Sequence, residues 1–129
     1  MKTKYLLVIL IFIAFFIGFS SLIQGQDKDV EGSKDHPLLT RMSNFYIDEY
    51  EEFEYDSHEF YDEEDNEYII EGHKWVIGYT LKEGFNSPGE LKVMQNYINA
   101  IKKIGGTILF DRGVYMKVEQ EGKEAWIEV

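Results

Sequence analysis

The stretch Ser87-Pro88-Gly89-Glu90-Leu91-Lys92-Val93-Met94-Gln95-Asn96-Tyr97-Ile98-Asn99-Ala100-Ile101-Lys102-Lys103-Ile104-Gly105-Gly106 decides the fold. Leu91, Met94, Ile98 and Ile101 recur at helical spacing, and Tyr97 and Ile104 widen the stripe. Ser87 and Glu90 fit a capping box, with Pro88 at the first helical position. Lys102 and Lys103 suit the negative end of the helix dipole, and Gly105-Gly106 stops the helix. If the stripe is core, replacing Leu91 or Ile98 by Ala should cost ~2–5 kcal/mol.

Strand patterns flank this one helix. Upstream, Phe45-Tyr46-Ile47 is short and β-prone. Tyr50 to Phe60 alternates, with Phe53 and Tyr55 on one face and Glu52, Glu54 and Asp56 on the other. An acidic loop, Asp62 to Glu67, leads to strands Tyr68 to Glu71 and Lys74 to Leu81, joined at Glu71-Gly72-His73. Trp75, Ile77 and Tyr79 share a face in the second of these. Downstream, Thr107 to Asp111, Val114 to Glu119 and Lys123 to Val129 read as strands, with turns at Arg112-Gly113 and Glu121-Gly122. Ile108, Phe110, Tyr115, Val118 and Trp126 are core candidates there. The order implies an α+β fold: a twisted antiparallel sheet packed against one main helix.

Residues 1–25 have the order of a secretion signal. Lys2 and Lys4 precede an apolar run from Tyr5 to Ile17, and Gly18, Ser20, Ser21 and Gly25 close it. Cleavage after Gly25 would start the mature chain at Gln26. Ile23 is a poor residue three positions before the cut, and the apolar stretch to Ile23 is close to the ~20 residues of a membrane span, so a retained anchor is the second reading. No Cys stands at the junction, which excludes a lipoprotein anchor. Residues 26–34 are polar and read as a flexible lead-in; residues 35–129 form a single domain beginning at Asp35-His36-Pro37. With no Cys in the chain, the domain must hold by packing alone.

The chain carries 13 basic and 24 acidic residues. Losing Lys2 and Lys4 with the leader brings the mature domain near −13. Such a charge repels phosphate backbones and anionic headgroups, which excludes nucleic acid and leaves membrane contact to the signal or anchor segment.

GSKDHPLLTRMSNFYIDEYEEFEYDSHEF and NYINAIKKIGGTILFD resemble the N-terminal region of bacterial outer-membrane proteins of the OmpA family. The resemblance runs from Gly32 to Val129 and is most specific at Asp35 to Met42 and Asn96 to Gly106. It implies a signal peptide, an N-terminal α+β domain, export to the periplasm and association with the outer membrane. The peptidoglycan-binding domain of that family would follow Val129, so no cell-wall-binding residue is carried over. A truncated gene product is the corresponding alternative.

No motif amounts to an active site. Asp62-Glu63-Glu64-Asp65-Asn66-Glu67 lacks the spacing of a calcium loop and reads as a solvated turn. His36, His58 and His73 have no helical metal spacing; Asp56 and Glu59 lie near His58 in sequence, but structural or surface roles fit these imidazoles better. Glu49, Glu51, Glu52, Glu54 and Glu59 could supply the paired carboxylates of a small envelope hydrolase, although 24 acids bring some pair together by chance. Ser43, Ser57 and Ser87 sit in no nucleophile elbow. Phe45, Tyr46, Tyr50, Tyr55, Phe60, Tyr61 and Tyr68 either compensate for a small core or offer a surface to an envelope protein or a glycan. The expectation is an exported, non-catalytic envelope domain of structural or interaction role, without catalytic residues, cofactor or metal.

Overall fold

The computed structural model describes residues 27–110 and 115–129. The leader, the start of the lead-in at Gln26, and the expected turn at Arg112-Gly113 with its neighbours Asp111 and Val114 lie outside the described residues.

The fold is α+β, with every strand pair antiparallel. Strands β1 (Phe45–Tyr61) and β2 (Glu67–Leu81) form a long hairpin, helix α1 (Glu90–Lys103) follows, and β3 (Thr107–Phe110), β4 (Tyr115–Gln120) and β5 (Lys123–Glu128) close the chain. The strands form two sheets where one was expected: β1-β2, and β3-β4-β5.

The hairpin is also more continuous than its sequence suggests. The expected breaks after Ile47 and at Glu71-Gly72-His73 are absorbed into β1 and β2. Register slips between Ile47 and Glu49, and again between Phe53 and Asp56, each place one extra residue on β1. A bulge of this kind lets a strand run on through a lapse in its alternation. It also removes the shared face expected for Phe53 and Tyr55.

Helix α1 starts later than the capping pattern implies. Its N-cap is Gly89, at φ 85°, with no side-chain cap. Pro-Gly is a turn pair, and glycine takes the left-handed region at no steric cost. Ser87 is spent inside that turn, its Oγ accepting the Gly89 N–H at 3.2 Å. The helix ends as expected, the two glycines having separate jobs. Gly105 sits at φ 84° and donates to Lys102 O. Gly106 donates to Ile101 O at 2.9 Å, and a Cβ there would meet the Ile101 side chain and Lys117 O.

Tyr97, Ile101 and Met116 form the buried cluster, with Leu39, Val93, Met94, Ile98, Ile104, Ile108 and Ile127 packed against it. Leu91, expected in the stripe, is 82% exposed. It lies in the first turn, and Val93 packs against the cluster instead. In β4 the buried residues are Met116 and Val118, two apart as a strand requires; Tyr115 points to the other face.

The β3-β4-β5 sheet is covered on both sides. Met116, Ile127 and Ile108 meet α1. On the other face Tyr115 and Trp126 meet the distal half of the hairpin, where Phe60 packs edge-on to Tyr115 at 5.6 Å and against Trp126 at 5.3 Å. Tyr68 lies 5.4 Å from Trp126. The lead-in is tied to the hairpin base. Val30 donates its N–H to Ile47 O, and Asp29 accepts from Ile47 N and pairs with Arg41 at 2.5 Å.

Candidate functional site

Among the regions that bring chemistry-bearing side chains together are the cleft inside the hairpin and the hairpin's outward face.

The cleft has a volume of about 1330 Å³ and lies between β2, the residue 36–42 segment, α1 and the β4-β5 edge. Leu39, Ile77, Val118 and Ile127 are among the apolar residues lining it, and all three histidines line it too. His73 stacks on Trp75, centroids 3.9 Å apart, and His36 meets the same indole edge-on at 4.7 Å. Burial, with the neighbouring His73, lowers the His36 pKa below 6.5. His58 is brought not to Asp56 or Glu59 but to Glu128, at 2.5 Å across 70 residues of sequence. Asp56 is held by Lys74 at 2.9 Å. Among the described residues no group of three or more His, Asp and Glu is placed to hold a metal ion.

Among the described residues, the carboxylates with shifted pKa are all lowered. Glu52 accepts from Tyr50 at 2.8 Å and from His73, and Asp56 accepts from Lys74; these bonds favour the ionised form. Asp62 is lowered to about 2 because Asn66, Tyr68 and the Glu64 N–H all donate to it. This makes the acidic loop a closed hairpin turn organised around one carboxylate. A general acid needs the opposite shift. Of the other expected candidates, Glu49, Glu51 and Glu54 are exposed on β1, Glu59 accepts from Tyr61 at 3.1 Å, and Ser43, Ser57 and Ser87 have no imidazole hydrogen bond.

Aromatic faces inside the molecule are largely taken. Trp126 has Phe60, Tyr68 and, at 5.3 Å, the Lys117 ammonium around its ring. Trp75 carries both histidines. These rings do the core work expected of a small thiol-free domain.

The outward face differs. In the distal hairpin His58 pairs with Ile70 and Phe60 with Tyr68, facing β4 and β5; the alternate pairs Ser57 with Glu71 and Glu59 with Ile69 point the other way, and Glu67 continues that second face on β2, while the half-buried Tyr61 opposite it turns its ring to within 6.4 Å of Tyr115. Tyr55, at the bulge, joins that second face by donating its hydroxyl to Glu71 at 3.0 Å. Tyr55 is 71% exposed and Ile69 61%. Among the described residues neither outer edge of the hairpin pairs with another strand.

Sequence reasoning named most of these residues without their grouping. It missed the unit formed by Asp29, Asp35, Arg41 and Tyr79, in which Arg41 Nε donates to Asp35 at 3.0 Å and the Tyr79 hydroxyl donates to Asp35 at 2.8 Å. Its members lie up to 50 positions apart, and no local pattern announces it. Among the described residues no helix is long and apolar enough to cross a membrane. No family model matches this chain, and neither does any curated protein or solved structure.

Proposed function

We propose that this chain is an exported, non-catalytic domain of the bacterial envelope that works by contact with another molecule. The carrying observation is the distal hairpin's outward face, where Tyr55 and Ile69 stand exposed beside strand edges that pair with no other strand among the described residues. Exposed apolar side chains grouped on an open sheet are the raw material of an interface. The leader's order of charge, apolar run and small residues supports export, and a chain without thiols has no need of an oxidant on arrival. The likeness to OmpA-family N-terminal regions supports the periplasmic side of the outer membrane as its place. In this reading the C-terminal sheet is twisted across α1, and the hairpin is the arm that reaches the partner.

The test is fractionation of cells expressing the tagged chain beside a Tyr55→Ser/Ile69→Ser variant with unchanged circular dichroism. The wild type should be processed and co-sediment with envelope fragments, and the variant should wash into the soluble periplasmic fraction. Identical partition of the two, or recovery of the chain with its leader from the cytosol, would overturn the proposal.

A further inference from the structure

Resting on that interaction reading, we infer that the outward face of the distal hairpin receives an extended, cationic segment of a partner protein. The face is anionic and apolar at once. Glu59, Glu67 and Glu71 alternate with Tyr55 and Ile69, and no lysine or arginine occurs between Tyr55 and Gly72. The single imidazole of that stretch, His58, turns to the opposite face and is engaged by Glu128.

Shape and charge select the same occupant. From Tyr55 to Tyr61 the strand runs about 20 Å, room for roughly six extended residues. An added strand places every second side chain on the side of this face, about 6.7 Å apart, so a lysine or arginine at alternate positions meets Glu59 beside β1, or Glu67 and Glu71 on either side of Ile69 beside β2. Tyr55 offers an exposed ring to a cation and shares it with the Glu71 carboxylate that its hydroxyl already binds. A second copy of this chain would bring like charge against like charge, since the chain's net charge is −11. A neutral glycan would leave three glutamates without compensation.

The test uses the purified chain and two synthetic peptides, one alternating Lys with Val and one alternating Glu with Val, titrated by calorimetry. The Lys peptide should bind, weakening about tenfold or more between about 20 and about 300 mM salt as the charges are screened. The Glu peptide should not bind. Glu59→Gln/Glu67→Gln/Glu71→Gln should reduce Lys-peptide affinity about tenfold or more, whereas Glu83→Gln/Glu90→Gln/Glu121→Gln, away from the face, should leave it within about twofold. Equal weakening in both triple variants would mean diffuse attraction to an acidic chain and would overturn the inference. So would equal binding of both peptides, or no binding at all, in which case the glutamates only shield a strand edge from aggregation. The envelope fractionation described above separates the two ideas. If co-sedimentation is lost in Tyr55→Ser/Ile69→Ser but survives the Glu59/Glu67/Glu71 variant, the interaction stands and its partner is not cationic.

Discussion

At the residue scale, His36 shows how position overrides type. In sequence it is a lone imidazole before a proline. In the fold its Nδ1 accepts the Leu38 N–H at 3.2 Å, its ring meets Trp75, and burial disfavours its charged form. Its folded pKa lies below the unfolded 6.5, so the unfolded chain takes the proton first. The resulting stabilisation is complete above pH 6.5 and is lost as pH falls from there through the folded value. Denaturant unfolding from pH 7 to about pH 5 should show that decline, and His36→Phe, which keeps a ring against Trp75, should flatten part of it. Parallel curves for the two proteins would mean that His36 is not protected from protonation.

At the scale of elements, local signals were legible and non-local ones were not. The helix was readable because its evidence lies within one stretch: a 3.6-residue apolar period and a Gly-Gly stop. Its first turn was misread because Ser-Pro-Gly-Glu satisfies both a capping box and a Pro-Gly turn, and the left-handed Gly89 selects the turn. The hairpin's length was hidden by the extra residue between Ile47 and Glu49 on β1, which interrupts the alternation that marks a strand, and by Gly72 on β2, which reads as a turn. The split into two sheets had no local signature, since it depends on Phe60 and Tyr68 meeting Trp126 from distant segments. The same contrast gives a stability prediction. Leu91→Ala should change the unfolding free energy by no more than about 0.5 kcal/mol, and Ile101→Ala, at a fully buried position, should cost about 2–5 kcal/mol. Similar losses at both would contradict the placement of the helix.

At the scale of the whole molecule, a thiol-free chain stabilises itself by layering. Helix and distal hairpin cover opposite faces of a three-stranded sheet, and the lead-in is fastened to the hairpin base through Asp29 and Arg41. The aromatic surplus noted in the sequence divides accordingly. Phe60 goes inward with Trp126, and Tyr55 stays outside. Composition could announce that division but not assign it, because the face of each ring depends on register and on the bulge before Asp56. The proposed interaction surface is therefore visible in the sequence as a quantity of aromatics and only in the fold as a place. Its direct measurement is site-specific photo-cross-linking in intact cells, with a benzophenone side chain at Ile69 or, as the control, at Leu91, which is at least as exposed but lies on the helix. The account predicts a discrete cross-linked product with an envelope protein from Ile69 and none from Leu91; no product at Ile69, or the same product from both positions, would contradict it.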